Sequence, residues 1–333
     1  MTPTNPRRFP ASAWLPIVVS LVLPGLALLV PAPPVRAQGA NFRLPVDSIE
    51  SLLRRGSFGR PNELEPLGAR EGGSWRTSLR FEDGPEVPVK WAPAPEGGEA
   101  FNNAPRYEVA AYEVQKLFLE PGEYVVPPTV VRAVPPERYR RARGGPGPTF
   151  EGAESVLVVL QYFLSDVTDE DVFDTARFEA DSVYARAWAN TNLLTYLIQH
   201  NDSNEGNLLI STDPSEPRVF AVDNGLSFDS PWSNRGTRWR VLQVTRFPAS
   251  SVFRLREVGT EELHRRLGVL AQWEVRDGLL VRVEPGENLD PETGIRRGDG
   301  VVQLGLTAGE IDGLWRRLRD FLRTVDQGRM TLF

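Results

Sequence analysis

The chain has 333 residues, enough for one large domain or for two lobes with separate apolar cores. Hydrophobic residues make up 41% and charged residues 25%, an ordinary balance for a soluble globular protein. A net charge of −6 argues against a nucleic-acid binder, and the absence of cysteine excludes disulfides, thiolate metal sites and a cysteine-linked lipid anchor.

Residues 1–37 read as an export signal. Arg7 and Arg8 form a charged start, 13–30 is an apolar run without charges, and Val35-Arg36-Ala37 gives a small-x-small cleavage site before Gln38. Cleavage removes Arg7, Arg8 and Arg36 and takes the net charge from −6 to −9. The paired arginines hint at twin-arginine export, although Pro10 breaks the usual pattern. The expectation is an exported protein, periplasmic or extracellular, that stays membrane-anchored if the signal is not cleaved. Basic residues are almost all arginine: the only lysines are Lys90 and Lys116, against 36 arginines.

In chain order, 38–62 reads as a peripheral lead-in with a short helix at 46–55. Strands are expected at 64–69, 75–81 and 86–91, punctuated by Gly72-Gly73 and Asp83-Gly84. Pro105 suits a first helical turn, and Ala110, Val114, Leu117 and Phe118 give the following helix an apolar stripe. Two more strands follow at 124–134 and 155–163, joined by an Arg-, Gly- and Pro-rich loop over 138–152. The chain then turns helical, with a long apolar helix at 180–199 and short strands at 208–211 and 218–222. A second helical region starts near Ser250, 273–283 reads as strand and 285–300 as a turn-rich excursion. Thr307 with Glu310 three residues on is a capping box that opens a last helix running to about residue 325. The expected organisation is α+β with two lobes, 63–163 and 164–333: a small antiparallel sheet with one helix, then a mainly helical half. The two lobes join near residues 161–165, which would leave a cleft between them.

The densest polar signal is the run His200-Asn201-Asp202-Ser203-Asn204-Glu205-Gly206-Asn207, between an apolar helix and a short apolar strand. An acid and an amide five residues apart on such a loop can face one space, where the acid orients a hydroxyl and the amide oxygen binds Mg²⁺. Asp223 follows the next apolar strand, and a carboxylate at that strand end is a natural second ligand for a hard cation.

This order, His-x-Asp-x4-Asn and then strand-Asp-x-Gly, resembles the catalytic and metal-binding loops of the protein-kinase superfamily. Arg106-Tyr107-Glu108-Val109-Ala110-Ala111-Tyr112, then Val126-Pro127-Pro128-Thr129, is similar to a block of the secretory-pathway kinases (the Golgi casein kinase and four-jointed group). Bacterial phosphatidylinositol-kinase-like proteins share it, and Asp223-Asn224-Gly225 fits these atypical branches better than Asp-Phe-Gly. The resemblance runs from about residue 64 to 228.

It implies a two-lobed protein-kinase-like fold that uses ATP with Mg²⁺ or Mn²⁺ and passes a phosphoryl group to a hydroxyl of a protein, glycan or lipid. Lys90 would contact the phosphates and Glu108 would hold Lys90. Asp202 would act as base or hydroxyl-orienting residue, with Asn207 and Asp223 on the metal. Gly72, Gly73 and Gln161 would line the nucleotide. Each residue also has an ordinary reading. The polar loop is turn vocabulary, Lys90 a solvated strand lysine, Glu108 a first-turn acid facing the helix dipole, and Glu113 a rival partner for Lys90. His200 reads as a structural residue bonded to loop backbone. The region after Ser230, with Trp232, Arg235, Arg238, Trp239 and Arg240, reads as packing aromatics with solvated arginines or as an acceptor-side surface. The chain departs from the family at Asn201, where many protein kinases have an arginine that grips a phosphorylated loop. No Ala-Pro-Glu follows Asp223, and there is no full G-x-G-x-x-G. A nucleotide-binding module without catalysis is the alternative.

Overall fold

The computed structural model describes residues 1, 39–59, 65–67, 73–82, 84–101, 103–139, 147–228 and 234–333. The export-signal reading, Gly72, Trp232 and the middle of the 138–152 loop lie outside the described residues. Among the described residues no helix is long and apolar enough to cross a membrane. Contacts divide the chain into units over 1–34 and 35–333, and the second is described here.

Helix α1 (Val46–Arg55) opens the fold with the bounds its sequence implies. Its Val46, Ile49 and Leu53 are fully buried, Phe42 stacks on Tyr162 with ring centroids 5.3 Å apart, and Phe58 meets Trp91 edge-on. The segment expected to be peripheral is therefore core. Its apolar stripe needs a partner surface, and α1 supplies that stripe to the flank of the first sheet.

That sheet is antiparallel and holds β1 (Glu65–Leu67), β2 (Ser74–Arg80), β3 (Glu86–Pro93), β4 (Thr129–Val134) and β5 (Val156–Tyr162), in the order β1-β2-β3-β5-β4. Alternation along β3 buries Val87, Val89 and Trp91 on one face and turns Lys90 to the other. Register sets Arg76, Lys90, Gln161 and Thr129 in one row across four strands. Helix α2 (Pro105–Gln115) connects β3 to β4 and lies on this sheet, with Pro105 in its first turn, where a missing N–H costs nothing. The strand expected from residue 124 starts only at Thr129. The chain before it, after the 3₁₀ turn at Pro121–Glu123, is a strap tied to α2. Gln115, fully buried, accepts from the Val125 and Val126 N–H groups, each at 2.8 Å, and donates to the Val126 carbonyl at 2.9 Å.

A short α3 (Pro136–Tyr139) follows β4. After β5 come β6 (Val167–Thr168), α4 (Thr175–Ala180) and α5 (Ser182–Leu197). The long helix expected over 180–199 is interrupted at Asp181, whose side chain accepts from the N–H groups of Val183 and Tyr184 and caps α5. Most of α5 is buried, so it forms the centre of the second half. Strand β7 (Leu208–Ser211) pairs with β6 on one side and with β8 (Val219–Ala221) on the other. Next are β9 (Arg246–Phe247), α6 (Ala249–Glu257) and α7 (Thr260–Leu267).

The departure from expectation is β10 (Ala271–Arg276), β11 (Leu279–Val283), β12 (Ile295–Gly298) and β13 (Val301–Leu304), a four-stranded antiparallel sheet in the order β11-β10-β13-β12. Two hairpins make it, each turning at an Asp-Gly pair with both residues at positive φ: Asp277-Gly278 (50°, 76°) and Asp299-Gly300 (49°, 76°). Such two-residue turns match the twist of paired strands. The stretch read as one strand is therefore two paired strands, β10 and β11, and the turn-rich excursion contributes β12, which pairs with β13. The sheet rests on the first lobe: Arg282 donates to the Val131 carbonyl at 3.1 Å, and the Glu154 N–H donates to the Gly278 carbonyl at 2.7 Å. The second half thus adds a sheet to its helices and reaches back over the first. Helix α8 (Ala308–Asp326) carries the expected capping box of Thr307 and Glu310, and β14 (Thr331–Leu332) pairs with β9.

Gln115→Leu removes the amide and strands three buried backbone groups. The expected loss is at least about 2 kcal/mol of stability, read as a lower urea midpoint at unchanged slope. An unchanged midpoint would mean that water had taken over those bonds.

Candidate functional site

Lys90 leaves the middle of β3, where hydrogen bonds to β2 and β5 on both sides hold its backbone rigid. Its ammonium donates to Glu108 Oε1 at 3.3 Å and to Asp223 Oδ1 at 3.1 Å. Glu108 sits in the first turn of α2, near the positive end of the helix dipole. Its second oxygen accepts from the Asn224 N–H at 3.1 Å. One carboxylate therefore bridges the central strand and the turn after β8. Glu113, the rival partner, instead meets Arg54 at 3.2 Å and Lys116 at 3.0 Å.

Asp223 directly follows Val222 beyond β8, with φ of +55°, a left-handed conformation that aspartate tolerates better than most residues. Backbone held in that region needs support from its surroundings. The Asn224 N–H on Glu108 and the Lys90 contact supply it. While Lys90 is only 15% exposed in its side chain, that of Asp223 is 60% exposed and opens outward.

The electrostatics follow from these distances. Burial by itself disfavours the Lys90 charge, yet the Asp223 and Glu108 carboxylates outweigh it and raise the ammonium's pKa above its ordinary value. Burial pushes the Glu108 carboxyl up against the pull of Lys90, while the Lys90 ammonium draws Asp223 down. Lys90 is a fixed cation here, suited to an anionic ligand rather than to proton transfer.

Lys90, Asn204, Asn207 and Asp223 form the polar wall of a cleft of about 510 Å³, in the size range of small-molecule sites. Gln161 lines it as well, its amide nitrogen donating to the Thr129 hydroxyl at 2.9 Å. Apolar side chains, among them Leu164, Leu209 and Val222, complete the lining. Ser74 lines the cleft from the sheet side, directly after Gly73, which is not itself in the wall.

Asn207 ends the 3₁₀ turn Glu205–Asn207 and is 2% exposed. Its carbonyl accepts from the Val222 N–H at 2.8 Å, which fixes its distance from Asp223, but its side-chain nitrogen has no hydrogen-bond partner. The two ends of an amide are assigned by their neighbours. With the amide turned over, its oxygen would take that place, and an amide oxygen on the same cleft wall as the Asp223 carboxylate suits a divalent cation that takes its remaining ligands from phosphate and water. Among the described residues no group of three His, Asp or Glu side chains holds a metal by itself. Asn207 and Asp223 fit a cation that arrives with a polyphosphate, and they fit one bound by protein alone poorly.

Asp202 is 6% exposed and is not in the cleft lining, which on this loop begins two residues on at Asn204. Its Oδ1 accepts from the Asn204 N–H at 3.1 Å, and its Oδ2 accepts from Arg235 Nη1 at 3.3 Å. His200, fully buried, accepts the Asp202 N–H on Nδ1 at 3.4 Å, and burial lowers its pKa, so the ring is neutral. Residues 235–240 pack on the same loop. Trp239 donates to the Asn204 carbonyl at 3.0 Å, Arg240 to Asn201 Oδ1 at 2.8 Å, and Arg238 stacks over the Trp239 ring. Sequence reasoning missed Arg235 as a partner of Asp202, the Asn224 N–H and the cleft-lining Asn204. Only the Asp-Asn-Gly turn carried a signal for the second.

No protein-family model matches this sequence, and no curated protein matches it. Among solved structures the chain is similar to one titled the structure of hydra Fam20 with sugar, with 14% sequence identity and a TM-score of 0.48, over 88% of this chain and 91% of that one. A likeness at that level carries no functional statement for this protein.

Proposed function

We propose that the cleft binds ATP with Mg²⁺ or Mn²⁺ and that the protein moves the γ-phosphoryl group to a hydroxyl of a protein, glycan or lipid. The observation that carries this reading is the convergence of Lys90, Glu108 and Asp223, from β3, α2 and the turn after β8, at 3.1 to 3.3 Å on the wall that also holds Asn207. A permanent ammonium pairs with phosphate oxygens, and the carboxylate and amide hold the cation that bridges them. Phosphoryl transfer needs positioning and charge neutralisation rather than a protein nucleophile. Lys90 neutralises the phosphates and Glu108 keeps it aimed. Asp202, on the adjoining loop, orients the acceptor hydroxyl and takes its proton. The export-signal reading of the first 37 residues supports an activity outside the cytoplasm, or at the membrane if the signal is retained.

A second reading, nucleotide binding without transfer, is favoured by one contact. The Arg235 guanidinium on Asp202 Oδ2 occupies the oxygen that an acceptor would use. Incubation of the mature protein with γ-labelled ATP and Mg²⁺ or Mn²⁺, following where the label goes, separates the two.

With Mg·ATP at 100 times its dissociation constant, the wild type should gain about 2.7 kcal/mol, visible as a higher melting temperature. Asp223→Ala, or chelation of the cation by EDTA, should remove that gain. A shift that survives both would show that the nucleotide is held without metal.

Asp202→Ala should keep the Mg·ATP thermal shift and lose transfer by on the order of 10²- to 10⁴-fold. Turnover equal to wild type in that variant would take the proton-accepting role from Asp202.

A further inference from the structure

Three consecutive residues at the start of α2 are gripped from two sides. Glu108 holds Lys90 and the Asn224 N–H. Arg106 and Tyr107 reach the other way, to Glu310 in the first turn of α8. Arg106 Nη1 and Nη2 lie 2.5 and 2.9 Å from the two Glu310 carboxylate oxygens, and the Tyr107 hydroxyl donates to one of them at 2.5 Å. Arg106 is 5% exposed, and its Nε donates to Glu99 at 2.6 Å. A guanidinium fork on a carboxylate fixes direction as well as distance. Gly294 closes the back of this site, where any side chain would run into the guanidinium. Glu310 is itself immobile, because it accepts the Thr307 N–H at 2.8 Å in the capping box.

Seven residues on, two turns along the same face of α8, Arg317 donates to the Leu197 carbonyl at 2.8 Å and to Gln199 Oε1 at 2.6 Å. Leu197 ends α5, and Gln199, with φ of +50°, is where the chain swings into the loop that bears Asp202.

We propose that α8 is the brace that sets the cleft: Glu310, through Arg106 and Tyr107, positions Glu108 against Lys90, and Arg317 positions the turn that carries Asp202. Both are positioning residues, and their role in transfer rests on the nucleotide reading of the cleft. The brace joins the two groups that must keep register, the phosphate-side ammonium and the acceptor-side carboxylate, to one rigid rod.

The chain's two lysines make this measurable without activity. Labelling lysine at the ε-carbon gives two side-chain resonances, and Lys116, held by Glu50 and Glu113, is an internal reference. Glu310→Gln is expected to move the Lys90 resonance toward that of a free lysine, to leave Lys116 in place, and to weaken Mg·ATP binding at least about tenfold. Arg317→Gln is expected to leave the Lys90 resonance unmoved and to lower kcat at unchanged Mg·ATP affinity. Thr307→Ala removes the side-chain cap of α8 but no contact to α2. It should lower Tm and move neither resonance. If Glu310→Gln does not fold, Arg106→Gln loses the fork without adding a third lysine and is expected to displace the Lys90 resonance in the same way. An unmoved Lys90 resonance in a folded Glu310→Gln or Arg106→Gln protein overturns the proposal. So does an equal displacement in Thr307→Ala, because α8 would then act only through general stability. Wild-type kcat in Arg317→Gln overturns its second half. The resonances are read without nucleotide, so a wild type that fails to bind Mg·ATP sinks the nucleotide reading and leaves the positioning of Glu108 tested.

Discussion

The rest of the molecule is arranged around one ammonium and the carboxylates that hold it. Lys90 is nearly buried, so its charge persists only because Glu108 and Asp223 stand within 3.3 Å. Each of the three comes from a different element, and each element has its own anchor. Strand β3 is paired on both sides, α2 lies across the sheet, and the Asp223 turn, which follows β8, is tied to α2 by the Asn224 N–H on Glu108. Removing one member leaves a partly buried charge without its partner, which costs far more than a surface pair would return. The open side of Asp223 means that the cluster is satisfied toward the protein and available toward the cleft.

Two further arginines show how much structure is spent on holding these elements in register. Arg106, with Glu310, Glu99 and Tyr107, welds the start of α2 to the start of α8. Arg296, 2% exposed, gathers the carbonyls of Gly268, Asp290 and Leu306 and so ties the four-stranded sheet to the segments before α8. Buried guanidiniums of this kind contribute direction more than stability, since desolvation offsets much of the attraction. The sheet of β10 to β13 thereby becomes a bridge between the first lobe and the last helix rather than an appendage.

The loop around Asp202 is ordered by a different device. Two arginines from the segment 235–240 hold it: Arg240 donates to Asn201, and Arg235 to Asp202. Residues 235–240 are thus pinned to the loop by side chains already present. The same pins place a cation on the carboxylate that the transfer reading assigns to the acceptor.

What was legible in the sequence was local. The bounds of α1 followed from its 3.6-residue apolar repeat, the start of α8 from Thr307 and Glu310, and the polar loop from its neighbours in the chain. These signals need only residues a turn or two apart. The two Asp-Gly hairpins were equally local, but the alternation that begins at Ala271 reads straight through Asp277-Gly278 as one strand, so the pairing is not legible from it. Burial of Phe42 and Phe58, the choice of Glu108 over Glu113 and the place of Arg235 on Asp202 depended on tertiary structure. So did the grip of Glu310 on α2, across 204 positions of chain. A side chain's neighbours along the chain set its conformation, but an ion pair between distant positions exists only once packing fixes which face of a helix meets which strand. Composition and spacing carry no information on that phase.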